Sequence, residues 1–118
     1  MTSRDDVIEF LKDFIFKMEY WGLVIRLDRT NLKNANTLSL LDLTYKYIGE
    51  ILKRLESEDY SEGPHRDKLY GNSDMWVFGK TIKGHEIYIK IQLGEPRSET
   101  ICISFHLAEY KMKYPFKK

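Results

Sequence analysis

The spacing of apolar residues changes between the two halves of this chain, and that change constrains the fold more than any other feature of the sequence. Between residues 7 and 18 apolar side chains recur every three or four positions, which is the period of one helical face. From residue 74 onward, three segments alternate apolar and polar residues, as half-buried strands do. Helices followed by consecutive strands predict an α+β fold, with the helices packed on one face of an antiparallel sheet.

The first helix has recognisable ends. Ser3 is its predicted N-cap, Asp6 completes a capping box with Ser3, and Gly22 marks the C-terminal end. Its predicted buried face consists of Val7, Ile8, Leu11, Phe14, Ile15 and Met18. The sequence L-V-I-R-L-D-R that follows is short and largely apolar, and it is consistent with either an edge strand or an extended connector.

Two shorter helices are predicted next. The spacing of leucine and alanine predicts one helix over residues 30–39, and Thr44 is the predicted N-cap of the other. The predicted buried face of the second helix consists of Tyr45, Ile48, Ile51, Leu52 and Leu55. The polar segment S-E-D-Y-S-E-G-P-H-R-D at 57–67 contains a Gly-Pro pair and is predicted to have no regular structure.

The alternating segments predict three antiparallel strands joined by hairpins, at residues 74–82, 85–93 and 100–107. The basic and aromatic C-terminal segment E-Y-K-M-K-Y-P-F-K-K is a candidate for a last edge strand. The prediction is therefore a single domain over residues 1–118. It has a helical half at about 3–57 and a sheet half at about 73–118, with three to four antiparallel strands.

Alternation assigns the strand residues to two faces of the sheet. The core face is predicted to carry Trp76, Phe78, Ile87, Ile89, Ile91, Leu93, Ile101, Ile103 and Phe105. The opposite face is predicted to carry Tyr88, Lys90, Cys102, Ser104 and His106. Two tight hairpins would set Tyr88 opposite His106 and Lys90 opposite Ser104, with Cβ atoms about 5 Å apart. Gly79 would lie beside Tyr88 and leave open space there.

This cluster has the chemical groups that RNA cleavage requires. His106 can transfer a proton near neutral pH, and Lys90 can bind a phosphate. Tyr88 can donate a hydrogen bond to phosphate or stack on a base. Together they suffice for attack of a 2′-hydroxyl on the adjacent phosphate, without a metal or cofactor. The solvated face of an ordinary antiparallel sheet carries the same residue types, so the pattern is also consistent with no catalytic role.

Composition narrows the class of protein. Cys102 is the single cysteine, which excludes an intrachain disulfide and a thiolate zinc site and indicates a reducing compartment. Cys102 and His106 would lie about 13 Å apart along one strand, too far for a catalytic dyad. The spacing of His65 and His85 suggests no metal site.

No apolar run approaches a membrane span, and the acidic N-terminus is unlike a signal peptide, so we expect a cytoplasmic protein without a membrane partner.

The net charge of +1 is unevenly distributed, with −2 over residues 1–59 and +3 over residues 60–118. This imbalance is milder than that of a dedicated nucleic-acid binder. The basic and aromatic residues that could bind RNA beside the cluster are Arg66, Lys68, Lys80, Tyr110, Lys111, Lys113 and Tyr114. An alternative for residues 114–116 is that they cover the edge of the core.

Several segments, taken in order, resemble the MqsR family of bacterial toxins. They are D-Y-S-E-G-P at 59–64, M-W-V-F-G-K at 75–80, G-H-E-I-Y-I-K at 84–90 and C-I-S-F-H at 102–106, preceded by L-D-L-T-Y-K-Y-I-G-E-I-L-K-R-L. The ending Y-K-M-K-Y-P-F resembles a Gram-positive-type branch, and the resemblance covers roughly residues 30–106. It implies a RelE-like α+β fold and a metal-independent endoribonuclease that cleaves mRNA as the toxin of a type II toxin–antitoxin module. It also implies a cognate antitoxin, expected to carry a helix-turn-helix domain.

The resemblance carries over residue by residue. Tyr88 and Lys90 match the family's tyrosine and lysine, and His106 stands where the family has a lysine. These three residues are therefore the predicted catalytic set. The family's glutamine and a further lysine fall on Val77 and on Ser61 or Glu62. These changes leave open a non-catalytic homologue that binds RNA or the antitoxin, and an adaptor of unrelated function is a third alternative.

Overall fold

The computed structural model describes residues 1–27, 32–68 and 73–117. Within these ranges the chain forms three α-helices, one 3-10 turn and five strands. In chain order they are α1 (Arg4–Trp21), β1 (Leu23–Ile25), α2 (Lys33–Leu41), α3 (Tyr45–Lys53), the 3-10 turn (Ser57–Asp59), β2 (Tyr60–His65), β3 (Met75–Ile82), β4 (His85–Gln92) and β5 (Thr100–Leu107). No helix in the described ranges is long and apolar enough to cross a membrane.

The predicted α+β class is confirmed, but the prediction of a wholly antiparallel sheet of three or four strands is wrong. The strands form one mixed sheet in the order β1-β5-β4-β3-β2. The sequence L-V-I-R-L-D-R supplies the edge strand β1, which runs parallel to β5. The other edge is β2, in the polar segment predicted to lack structure. Register shifts interrupt its pairing with β3, and an edge position tolerates Pro64 because one side of the strand needs no sheet partner.

The helix ends follow the sequence signals. Ser3 and Asp6 form the predicted capping box, and Gly22 ends α1 with a positive φ of 99°. Thr44 caps α3 as predicted, whereas Tyr45 is 51% exposed instead of buried. Helix α2 begins at Lys33, and residues 30–31 of its predicted range lie outside the described residues. Side chains of α1 and α3 pack against the core face of the sheet, and this core includes Val7, Phe10, Phe14, Ile48, Leu52, Phe78, Ile87, Ile89, Ile91 and Phe105.

The predicted register of the hairpin strands is confirmed. Tyr88 pairs with Gly79 on one side and His106 on the other, and Lys90 pairs with Ser104. These residues alternate with the buried isoleucines of β4, so they lie on the face of the sheet opposite the core. We call this face the outer face.

A bulge changes the side-chain alternation of β5. The pairing of β4 with β5 shifts between Lys90 and Ile91, so that Ile103 is an extra residue. Cys102 therefore faces the core, where it is 0% exposed, and Ile101 lies on the outer face. The prediction is wrong for these two side chains, because a one-residue shift exchanges the two faces, and for Ile103, which lines a cleft beside Lys90 instead of the core. No local signal marks this bulge.

Helix α2 lies along the edge of β5 and satisfies its backbone. The amide nitrogen of Asn34 donates to the carbonyl oxygens of Arg26 (2.7 Å) and Ile103 (2.9 Å), and its oxygen accepts from the N–H of Phe105 (2.9 Å). One helical turn later, the Thr37 hydroxyl accepts from the backbone N–H at the end of β5 (3.1 Å). Beyond the end of β1, the side chains of Asn34 and Thr37 therefore hydrogen-bond to the backbone of β5, because buried backbone groups need partners.

The C-terminal strap, defined as residues 108–117, crosses the outer face and forms no strand in this described range, so the predicted last edge strand is wrong. The ring of Tyr114 lies over Gly79 and fills the space that was predicted to be open. Its hydroxyl donates to the carboxylate of Glu86 (2.7 Å). Phe116 stacks on Tyr60 with ring centroids 5.4 Å apart and packs against the core, as the alternative for residues 114–116 expected.

Replacement of Asn34 tests the edge of β5. Asn34 is only 7% exposed, and Asn34→Asp removes both donated hydrogen bonds and sets a negative oxygen against two carbonyls. We expect the free energy of unfolding in urea to fall by about 3 kcal/mol. The matched control Asn36→Asp, on the exposed side of the same helix, should change it by less than about 0.5 kcal/mol. Equal losses in the two variants would contradict this role for Asn34.

Two glycine substitutions should have opposite effects. A Cβ at Gly79 would collide with the Tyr114 hydroxyl, whereas a Cβ at Gly49 in α3 meets nothing within 4 Å. Gly79→Ala should displace Tyr114 and lower the free energy of unfolding by roughly 1–2 kcal/mol. Gly49→Ala should raise it by about 0.5–1 kcal/mol, because alanine loses less entropy in a helix. Urea denaturation measures both, and a Gly79→Ala variant as stable as the wild type would show that Tyr114 does not constrain residue 79.

Candidate functional site

A cleft of about 270 Å³ opens on the outer face between β4, β5, the start of α2 and the C-terminal strap. It is lined by Lys33, Tyr88, Lys90, Ser104, His106, Glu109 and Tyr110. The structure therefore brings the three predicted catalytic residues, Tyr88, Lys90 and His106, into one cleft. The hairpin register is the reason, since it sets β4 and β5 side chains of the same face opposite each other.

The imidazole of His106 is fixed in one orientation. Its ring stacks on Tyr88 with centroids 5.2 Å apart and planes 11° from parallel. Nδ1 lies 2.9 Å from the carbonyl oxygen of Leu107, and a carbonyl only accepts, so Nδ1 carries the proton in the neutral ring. Nε2 has no hydrogen-bond partner among the described residues. Since every buried side-chain nitrogen or oxygen in these residues has a partner, Nε2 is not buried and reaches solvent, although His106 as a whole is only 9% exposed. His106 thus presents a single proton acceptor, Nε2.

Tyr88 is a hydrogen-bond donor in this cleft. Burial, together with the nearby Tyr110 and Glu62, raises the pKa of its phenol to about 12. The neutral phenol is therefore the form present at physiological pH, which makes it a donor to an anionic oxygen and a poor general base.

Lys90 supplies a positive charge beside these two rings. Its ammonium nitrogen lies 5.8 Å from the centroid of the Tyr88 ring, a distance that allows a cation–π contact. Within the described part of the chain no carboxylate forms a salt bridge with Lys90. Its charge is therefore available to an anionic ligand.

A second cleft of about 260 Å³ adjoins the first through Lys90. It is lined by Arg26, Arg66, Asp67, Lys68, Met75, Lys90 and Ile103. We call the two clefts together the basic groove, because five lysine and arginine residues but only two carboxylates are among their described lining. Arg66 and Lys68, which were predicted to bind RNA, lie in this groove.

Other predicted RNA-binding residues lie elsewhere. Lys80 pairs with Ile87 across the strands and therefore lies on the core side, where it forms a salt bridge with Asp59 (3.1 Å). Tyr114 is packed over Gly79, and Lys111 and Lys113 are exposed on the strap without lining either cleft. Tyr110 does line the cleft, where it is 57% exposed and meets the Tyr88 ring edge-on at 6.4 Å.

The sequence did not indicate Lys33, Glu109 or Arg26 as site residues. Lys33 and Glu109 form a salt bridge of 2.6 Å beside His106, although they lie 76 positions apart. The hydrogen bond from Lys33 lowers the pKa of the Glu109 carboxyl. Arg26 reaches the groove because β1 pairs with β5. No motif marks these contacts, since each depends on elements that are distant in the chain.

Comparisons with protein-family models, curated proteins and solved structures find no match to this chain. In the described ranges, no three His, Cys, Asp or Glu side chains are grouped so that they could hold a metal ion.

The position of Cys102 in the core predicts an unreactive thiol. Burial raises its pKa to about 12, so the native protein should resist iodoacetamide at pH 8, whereas the chain unfolded in urea should be fully modified. As a control, Ser104→Cys in a Cys102→Ala background places a thiol in the cleft, and this thiol should react in the native state. Mass spectrometry measures the modification. Native Cys102 reacting as fast as the cleft thiol would contradict its burial.

Proposed function

We propose that this protein is a metal-independent endoribonuclease that cleaves mRNA as the toxin of a bacterial type II toxin–antitoxin module. The observation that carries the proposal is the convergence of three groups in one cleft. They are an imidazole with an accessible Nε2, a neutral phenol and an ammonium group without a carboxylate partner among the described residues. The resemblance to the MqsR family supports the same activity at Tyr88 and Lys90.

In the proposed reaction, Nε2 of His106 takes the proton from a ribose 2′-hydroxyl, and the 2′-oxygen attacks the adjacent phosphorus. The bond from phosphorus to the 5′-oxygen breaks, which leaves a 2′,3′-cyclic phosphate. The departing 5′-oxygen takes a proton from water, and His106 returns its proton to solvent. Tyr88 donates a hydrogen bond to a non-bridging oxygen, and Lys90 stabilises the negative charge that develops on the phosphate.

The rest of the basic groove suits a single RNA strand. Arg66 and Lys68 would bind phosphates on the side of Lys90 away from His106, and the exposed ring of Tyr110 would stack on a base. The near-neutral charge of the whole chain is compatible with this role, because the positive charge is concentrated in the groove. As a toxin, the protein would act in the bacterial cytoplasm and be neutralised by an antitoxin with a helix-turn-helix domain.

The proposal predicts RNA cleavage in the presence of EDTA. His106→Asn removes Nε2, and its amide can still donate to the Leu107 carbonyl, so the variant should fold. We expect its cleavage rate to fall at least about 100-fold, which is the usual contribution of a general base. Lys90→Gln should lower the rate roughly 10- to 100-fold, because charge stabilisation is lost. Gel analysis of a defined RNA, with chemical identification of cyclic-phosphate ends, measures both.

The controls are His65→Ala and His85→Ala, which change exposed histidines outside the groove and should leave the rate unchanged. The wild-type protein leaving the RNA intact would refute the endoribonuclease. Equal rates in the wild type and His106→Asn would instead refute the assignment of His106.

A non-catalytic homologue that binds RNA or an antitoxin is the second candidate. Two observations favour it: His106 is largely covered, and the apolar Val77, which stands where the family has a glutamine, is fully buried. It predicts that a fluorescent RNA binds the groove with an affinity that Lys90→Gln weakens, while no RNA is cleaved. It also predicts no growth arrest on expression in bacteria, whereas growth arrest relieved by His106→Asn supports the toxin.

A further inference from the structure

A second groove, of about 780 Å³, lies on the other side of the sheet, between α1 and the neighbouring ends of β2, β3 and β4. We propose that this groove binds a segment of a protein partner in which lysine or arginine residues alternate with apolar residues. We call it the acidic groove, because Asp6, Glu9, Asp13 and Asp74 are part of its wall. The proposal is independent of RNA cleavage and uses none of the residues of the basic groove.

The carboxylates form an extended row. Asp6, Glu9 and Asp13 are spaced three and four residues apart, so they follow one stripe of α1, and Asp74 stands on the opposite wall. The described lining contains no lysine, arginine or histidine, and none of the four carboxylates forms a salt bridge with a described residue. Asp6 is engaged in capping α1, which leaves Glu9, Asp13 and Asp74 as charges without a structural partner in these ranges.

The floor of the groove is aromatic. The ring of Phe10 stacks on Trp76 with centroids 4.5 Å apart and planes 12° from parallel, and Trp76 remains partly exposed. An apolar side chain of the partner can pack on this pair, and an arginine can lie over the indole. The aromatic floor and the acidic walls together select an occupant that carries both apolar and cationic side chains.

The dimensions favour a chain segment over a single ion. Glu9 and Asp13 lie four residues apart on a helix that rises 1.5 Å per residue, which separates their backbones by about 6 Å. This separation matches cations at alternate positions of an extended segment, which are about 6.6 Å apart at about 3.3 Å per residue. The carboxylates would repel the phosphates of RNA, so the charge of the groove favours a cationic occupant over RNA.

Trp76 can report binding directly. The chain has two tryptophans, and Trp21→Phe leaves Trp76 as the single tryptophan, which can be excited without the tyrosines. The probe is an acetylated, amidated ten-residue peptide of alternating arginine and leucine. We expect a saturable change in Trp76 fluorescence, at least tenfold weaker binding in Glu9→Lys and Asp13→Lys, and weaker binding as salt is raised. The matched control Glu19→Lys makes the same charge change elsewhere on α1 and should bind within twofold of the parent.

Several outcomes would overturn the proposal. They are no saturable change in fluorescence, equal affinities for Glu9→Lys and Glu19→Lys, or equal binding of a peptide of alternating glutamate and leucine. Sedimentation of the protein alone provides a further check. Self-association that Glu9→Lys abolishes would assign the groove to a second copy of the chain. Circular dichroism and urea denaturation of each variant confirm that the comparison is made between folded proteins.

Discussion

The edge of strand β5 depends on a single buried amide. Beyond the end of β1, the Asn34 side chain makes three hydrogen bonds to backbone groups, including two on β5, and so replaces a neighbouring strand. This contact fixes the half of β5 that carries His106, and it brings the start of α2, with Lys33, to the cleft. The cleft therefore exists because a helix, and not a further strand, satisfies the polar edge of β5.

One part of the outer face is covered by the C-terminal strap, and the other part is an open cleft. The C-terminal strap covers the part around Gly79, where glycine is required because the Tyr114 ring occupies the place of a Cβ. The part around Tyr88, Lys90 and His106 stays open and adjoins the basic groove. Because residue 79 is a glycine, the C-terminal strap can pack against one part of the outer face, while long side chains line the open part.

The net charge of the chain is close to zero, yet the structure has two grooves whose lining residues carry charges of opposite sign. Three carboxylates on α1 and one just before β3 line the acidic groove, and five basic residues line the basic groove on the outer face. Because exposed charges that are farther apart than about 10 Å are largely screened from each other by salt, each groove presents its own potential to a ligand. Total charge therefore says little about what either surface binds.

The sequence by itself determined the elements and contacts that are local. Two periods of hydrophobicity, a capping box and short hairpins were enough to place Tyr88 opposite His106 and Lys90 opposite Ser104, because hairpin register follows from turns and alternation within about 20 residues. The family resemblance adds a proposed role for these residues. Only the tertiary structure decided the edge strands β1 and β2, the inward position of Cys102 and the Lys33–Glu109 pair. These features arise from a one-residue bulge and from contacts between distant segments, whose energies depend on packing and leave no periodic signal in the chain.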